Sequence, residues 1–233
     1  MSNASNATLL VKDSNAQYIY KPVSGERPLW DFPDGTLANR ERAAYLTSEL
    51  LGWNLVPRTE LIEGPFGLGS VQDWVEAQVN TVDLFAHSEV PDDWINVLSG
   101  RDERGQRVVL AHSSDEKLKR VALFDAIINN ADRKASHILT TEAGEHFLID
   151  HGVTFHYEPK LRTVLWGWVD TTISDHDLDD LALLAESIDS SELAQLLDEL
   201  EVSALHQRIA DLIDSKKYPS PSDEWPAIPW PIF

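Results

Sequence analysis

Leu9, Val11, Tyr18 and Tyr20 keep a period of two on either side of the turn-forming cluster Lys12-Asp13-Ser14-Asn15, which predicts a β-hairpin over residues 8–21. Residues 22–35 are rich in Pro, Gly and charge and read as a loop, part of which packs down through Leu29, Trp30 and Phe32. A helix follows. Thr36 stands as N-cap, Ala43, Leu46, Leu50 and Leu51 keep helical spacing, and Gly52 suits the C-cap. Beyond Val56-Pro57, residues 59–62 and 70–78 read as strands around a turn at 63–69, so residues 1–78 form a small antiparallel sheet with one helix. From Asp83 the pattern weakens into helical segments broken at Pro91 and Gly100, then a clearer helix spans about 114–130 with Leu118, Val121, Ala122 and Ile128 on one face. A second hairpin pairs 138–140 with 146–149 around Glu142-Ala143-Gly144, and helices are predicted over 175–188, 190–200 and 203–215. Residues 79–233 thus make a mainly helical lower lobe, and the fold class is α+β with two lobes. The tail 218–233, Pro-rich yet apolar, predicts an extended strap on that lobe or a peptide ligand for a partner.

At 233 residues, 42% apolar and 25% charged, the chain suits one domain of two lobes or two small domains. It lacks a run of about 18 apolar residues, and its first residues lack the blocks of a signal peptide, so a cytoplasmic location without integral membrane association is expected. The absence of cysteine excludes disulfides, thiolate metal sites and cysteine nucleophiles. A net charge of −20 repels nucleic acid and anionic headgroups and would attract a basic protein partner. Eleven Asp or Glu and no Lys or Arg between Asp170 and Glu201 read first as a solvated helical surface.

Chemistry concentrates in Asn129-Asn130-Ala131-Asp132-Arg133-Lys134-Ala135-Ser136-His137, followed after a hairpin by Ile149-Asp150-His151-Gly152. A loop after a helix presents Asp132, the next strand presents His137, and the hairpin returns Asp150 to the same end. Phosphoryl transfer needs such convergence: one carboxylate to orient or deprotonate the nucleophile, others to hold a metal against phosphates. The alternative is that both aspartates merely cap turns. The histidines show no compact metal spacing, and no Gly-x-Ser-x-Gly elbow exists.

These segments resemble the catalytic loop and metal motif of the phosphatidylinositol 3/4-kinase superfamily, most closely the type II phosphatidylinositol 4-kinases and an uncharacterised actinobacterial kinase-like family, and more distantly the HipA-like kinases. The family pattern is Asp-Arg-x-x-x-Asn, then Asp-x-Gly; Asp132, Arg133 and Asp150 match it. The resemblance implies a two-lobed protein-kinase-like fold that binds ATP and Mg²⁺, with Asp132 catalytic, Arg133 and Lys134 beside it, and Asp150 on the metal. His137 stands where the family has Asn. Either it ligates the metal and favours Mn²⁺, because Mg²⁺ prefers oxygen, or it stands behind the metal and holds Asp150 or a phosphate oxygen. His151 is read as structural.

The resemblance extends upstream. Ser5, Asn6, Ala7 and Thr8 look like a phosphate-binding loop, and Lys21 like the ATP lysine at a strand end. The strand expected ahead of that loop has little chain to form it, so the lobe is abbreviated or its start truncated. Glu41 or Glu49 would pair with Lys21, Glu41 being the match to the kinase helix, though Arg40 and Arg42 beside it also fit a surface position. Asp73, Trp74 and Val75 resemble the hinge that holds adenine through backbone groups, with a core place the alternative for Trp74. Asp125, on the apolar face of its helix, is expected to brace the catalytic loop. The implied function is an ATP-dependent kinase acting on a hydroxyl of a protein or small-molecule acceptor; a phosphoinositide acceptor fits the resemblance but not the charge. The competing reading is a nucleotide-binding pseudokinase serving as sensor or scaffold.

Overall fold

The computed structural model describes residues 6–12, 14 and 16–233. Strands β1 (Leu9–Lys12) and β2 (Gln17–Pro22) pair antiparallel, with Leu9 opposite Tyr20 and Lys12 opposite Gln17, as their period-two pattern requires. The following loop leads into α1 (Leu37–Leu50). Thr36 sits at its N-cap, but its hydroxyl donates to the Pro33 carbonyl; the free amides of Leu37 and Ala38 donate to the Glu26 carboxylate instead, at 3.3 and 3.0 Å. Strands β3 (Thr59–Gly64) and β4 (Gly67–Asp73) complete a sheet of order β1-β2-β4-β3. β4 ends earlier than the predicted 70–78. Trp74–Gln78 leaves the sheet, and the amides of Gln78 and Val79 reach the Thr140 carbonyl in the lower part of the molecule.

α1 is no surface helix. Arg40 is buried, donates to the Thr154 carbonyl at 2.6 Å and pairs with Glu201, while Arg42 holds Glu60 and Glu192 at 3.0 and 2.9 Å. Both arginines tie the upper sheet and its helix to the lower helices.

Residues 82–113, expected as weak helix, instead form an antiparallel sheet of β5 (Val82–Ala86), β6 (Trp94–Arg101) and β7 (Arg107–Ser113), in the order β5-β7-β6. Its central strand β7 buries Val109, Leu110, Ala111 and His112 in succession. A strand covered on both faces loses its alternation, and short apolar runs of this kind cannot be told from helix by period alone.

His112 fastens that sheet to the segment beyond it. Its Nδ1–H donates to the Ser113 carbonyl at 2.8 Å, its Nε2 accepts from the Gly167 amide at 3.1 Å, and its ring lies 4.3 Å from that of Trp168. A Cβ on Gly167 would collide with that Nε2, so only glycine fits there. Burial pushes the His112 pKa down to about 4. With a folded pKa below the ordinary value, the neutral ring contributes stability that is complete above about pH 6.5 and is lost as pH falls toward 4. The expected loss from this residue is about 3 kcal/mol between pH 7 and pH 4. Urea unfolding at both pH values should show a shallower pH dependence for His112→Leu than for the wild type; identical dependence would remove His112 from the account.

The lower core is built on α2 (Glu116–Ile127), whose Leu118, Val121, Leu123, Phe124 and Ile127 are all fully buried. β8 (Ile138–Thr140) and β9 (His146–Leu148) form the predicted hairpin. α3 (Asp175–Ser187) follows expectation, whereas the helix predicted over 190–200 shrinks to the single turn α4 (Leu193–Leu196). α5 (Glu199–Ser215) starts earlier than the predicted 203, because Asp198 and Glu201 form a reciprocal capping box. The tail is a strap: the Ala227 carbonyl accepts from Thr163 and Trp166, and the Ile232 carbonyl from Ala135. No helix among the described residues is long and apolar enough to cross a membrane.

Candidate active site

A cavity of about 560 Å³ lies between the upper sheet and the β8–β9 hairpin. Period two along β2 puts Ile19 and Lys21 on the face toward it, and Glu41 of α1 meets Lys21 there. Lys21 Nζ donates to Glu41 Oε1 at 2.5 Å and to Asp150 Oδ1 at 3.0 Å. Burial alone would lower the Lys21 pKa, but Asp150 and Glu41 outweigh it and hold the ammonium well above the usual lysine range. Burial likewise works to raise Glu41, yet Lys21 and His151 bring its carboxyl down to about 2. The ammonium of Lys21 is the main cause that holds Asp150 below the ordinary carboxylate range, against burial. Asp150 has φ +61°, a left-handed conformation that the surrounding contacts must maintain.

A buried relay supports this group. Arg133 is 0% exposed. Its Nε donates to Asp125 at 2.9 and 3.2 Å, its Nη1 to the Ile149 carbonyl at 3.0 Å, and its Nη2 to His151 Nε2 at 2.9 Å. The His151 amide in turn donates to Glu41 Oε2 at 3.0 Å. Asp125 also accepts from Thr163 Oγ1 and Asn130 Nδ2, so it braces the loop as expected. Arg133, expected beside Asp132 at the reacting end, is therefore placed elsewhere. Its guanidinium points into the core, where Asp125 neutralises it, and it acts on the site by positioning Ile149 and His151.

Asp132 does not line the cavity; its amide donates to Asn130 Oδ1 at 2.9 Å, its Oδ2 stands 3.2 Å from Lys134 Nζ, and it is close enough to Asp150 to sense that charge. Burial raises its pKa, with Lys134 opposing and the Asp150 charge adding. A carboxyl of raised pKa beside a cleft suits proton acceptance. His137 lines the cavity with Nε2 3.4 Å from Asp150 Oδ2, and its buried Nδ1 has no hydrogen-bond partner among the described residues. Burial lowers its pKa to about 4, the Asp150 charge opposing, so the imidazole is neutral at physiological pH. A carboxylate oxygen and a neutral ring nitrogen that converge are donors of the kind a divalent cation takes.

Asn6, Ala7 and Thr8 line the cavity, packed on the turn after β2: the Ala7 amide donates to the Gly25 carbonyl at 3.1 Å, and Asn6 Oδ1 accepts from the Arg27 amide at 2.8 Å. Ser5 lies outside the described residues. Asp73, Trp74 and Val75 also line it, but the Trp74 amide is committed to the Gln17 carbonyl at 3.0 Å. Its side chain is 47% exposed, so Trp74 is not core.

No protein-family model matches the chain. Protein Rv2133c of Mycobacterium tuberculosis (strain ATCC 25618 / H37Rv) is 45% identical over 99% of this chain and 89% of its own length. The chain belongs to the Rv2133c family. Among solved structures, this Rv2133c-family chain is similar to the Helicobacter pylori proinflammatory kinase CtkA, at TM-score 0.48 and 13% identity over 94% of this chain and 90% of that one. It is also similar to the golgi casein kinase (TM-score 0.49, 14% identity, 92% and 70%). HipA, from the Shewanella oneidensis MR-1 toxin–antitoxin complex with HipB and operator DNA, matches at TM-score 0.39 and 12% identity, over 92% and 64%.

Ile19, Leu139 and Ile149 are among the apolar wall residues of the cleft that escaped the sequence reading. A signal for two of them existed. Ile19 stands two residues before Lys21 on the same strand face, and Ile149 directly precedes Asp150. His151, read as structural, is so in a specific sense: it links Arg133 to Glu41.

Proposed function

We propose that the cleft binds ATP with a divalent ion and transfers its terminal phosphoryl group to a hydroxyl of a protein or soluble small-molecule acceptor. The observation that carries this reading is the Lys21 ammonium held between Glu41 and Asp150, at 2.5 and 3.0 Å, on the floor of a cavity large enough for a nucleotide. Ile19, Leu139 and Ile149 offer apolar faces to a base, with backbone groups of the Asp73–Val75 stretch beside them. Lys21 holds phosphates, and Asn6, Ala7 and Thr8 lie against them. Asp132 orients the acceptor hydroxyl and takes its proton, and Lys134, 3.2 Å from it, balances charge at that point. The ion, Mg²⁺ or Mn²⁺, neutralises phosphate charge when bound, with Asp150 and His137 as the side chains that would hold it. In this reading residues 1–78 are the nucleotide lobe and 79–233 the acceptor lobe of a cytoplasmic enzyme related to the phosphatidylinositol 3/4-kinase superfamily. An anionic lipid acceptor is disfavoured by the charge of −20.

The departure at His137 favours a second reading, a pseudokinase that binds nucleotide without turnover. One measurement separates the two: phosphate release and acceptor labelling from ATP, with Mg²⁺ and with Mn²⁺, for the wild type and Asp132→Asn. Catalysis predicts a rate loss of about 10²–10⁴-fold in the variant with nucleotide affinity retained. Metal-dependent ATP binding with no turnover under either ion would leave the sensor reading standing.

A further inference from the structure

We propose that Arg162 forms an anion subsite beside Asp132, and that the acceptor in the kinase reading above, on which this rests, is a small soluble hydroxyl compound that also carries a carboxylate or phosphate.

Arg133 and Thr163 are partners in a parallel bridge, with the Arg133 amide donating to the Arg162 carbonyl at 3.0 Å and the Val164 amide to the Arg133 carbonyl at 3.3 Å. Both partners send their side chains to Asp125 in the core. Successive residues of extended chain face opposite ways, so Asp132 and Arg162, each one residue earlier, share the other face. The charges agree with that placement: burial raises the Asp132 pKa, and Arg162 is among the cations, after Lys134, that oppose it.

The fork of Arg162 is unused. Arg40, Arg42, Arg120 and Arg133 each hold a carboxylate, and Arg208 donates to the Ile127 and His156 carbonyls at 3.0 and 3.2 Å. Among the described residues the Arg162 side chain has neither an ion pair nor a hydrogen bond, and its Nε is buried without a partner. In a chain with 39 Asp and Glu against 19 Lys and Arg, a guanidinium left over beside the reacting carboxylate is open to an outside anion, which it can take with two parallel hydrogen bonds. Its carbon stands 6.0 Å from the centre of the Trp225 ring, and neither residue lines the nucleotide cavity, so the subsite lies on the acceptor side of Asp132.

The tail decides between a small acceptor and a peptide. Extended peptides are bound by pairing along a free strand edge. Here the Thr163 amide already donates to the Ala227 carbonyl at 3.1 Å and the Ala135 amide to the Ile232 carbonyl at 2.9 Å, so the chain's own tail fills the edges beside Asp132 and Arg162. The net charge of −20 repels a membrane surface, which meets all of it, but salt screens charges beyond about 8 Å and a small acid at Arg162 meets the guanidinium first. In the reaction the acceptor oxygen bonds to the terminal phosphorus of ATP as the bond from that phosphorus to its bridging oxygen breaks; ADP leaves with the bonding pair, and the hydroxyl proton passes to Asp132.

The test uses the full chain with its cleft filled by ADP and Mg²⁺. Inorganic phosphate and acetate are titrated separately at constant ionic strength while the ¹⁵N resonance of Arg162 Nε is followed, assigned by its loss in Arg162→Gln and, independently, in Arg162→Lys. A saturable shift is expected, and the anion that causes it tells phosphate from carboxylate. Arg162→Gln should bind that anion about tenfold more weakly or worse, the worth of a hydrogen bond to a charged group, with ADP affinity retained. No saturable shift with either anion, or equal anion affinity in the variant, overturns the subsite. Label from ATP, offered to a mixture of small hydroxy acids, their neutral alcohol counterparts and serine peptides, should pass to the acids alone, and Arg162→Gln should raise their KM by the same factor with kcat changed less. Label in the neutral alcohols or the peptides overturns the acceptor class. The two readings fail separately: an anion bound at Arg162 without nucleotide binding leaves the anion subsite standing and defeats the kinase reading, whereas nucleotide bound with no response at Arg162 does the reverse.

Discussion

Asp125→Ala is expected to destabilise the protein by about 3–5 kcal/mol, the usual result of removing one partner from a buried ion pair. Asp125 and Arg133 are both 0% exposed, and the Arg133 Nε donates to the carboxylate at 2.9 Å. Without that carboxylate the guanidinium would remain in the core, and Thr163 and Asn130 would lose their acceptor as well. Against a total of about 5–15 kcal/mol for a domain, the loss is large enough to appear as a lower urea midpoint at neutral pH. The double replacement Asp125→Leu with Arg133→Met should be milder than Asp125→Ala alone, because no unpaired charge is left behind. A cost of less than about 1 kcal/mol for Asp125→Ala would mean that the loop does not depend on this pair.

Lys21→Met should lower ATP affinity by about 10–100-fold, which corresponds to about 1.5–3 kcal/mol for losing a charge-assisted hydrogen bond to phosphate. The substitution keeps the length and apolar stem of the side chain. It also strands Glu41, 3% exposed, whose carboxyl is held at about 2 largely by this lysine against burial. The Glu41 pKa should therefore rise sharply in the variant. The sign follows: in the wild type Glu41 contributes stability that is present above the ordinary carboxylate pKa and lost as pH falls toward 2. In Lys21→Met that contribution disappears, so the variant should be destabilised at neutral pH and recover ground relative to the wild type in acid. Calorimetric ATP titration and acid unfolding read the two effects. Unchanged ATP affinity would remove Lys21 from the phosphate site, whatever the stability result.

Local pattern carried the reading where an element has one wet face. The β1–β2 hairpin and α3 expose one side, so their periodicity survives in the residue order. It failed where burial is two-sided: β7 buries four consecutive residues and looks like no particular element. It also failed at α4, where chain turns that depend on packing cut a plausible helix to one turn. The capping box at Asp198 and Glu201 was legible and would have placed the start of α5 correctly.

Spacing along the chain was enough to bring His137 and Asp150 to one end of the β8–β9 hairpin, because hairpin return is a local property, whereas Lys21 and Glu41 were joined to them only through the resemblance. It was also enough to nominate Asp125 as a brace, since a carboxylate on an apolar helix face must find a partner. What only the tertiary structure decided is direction. Arg133 follows Asp132 immediately, yet its guanidinium turns into the core to meet Asp125, while Asp132 pairs with Lys134. The place of His137 likewise depends on the fold: its Nε2 stands 3.4 Å from Asp150 Oδ2, a separation that no residue order encodes. Neighbours in sequence share a backbone, but the face each side chain presents is set by which partners the rest of the fold brings to it.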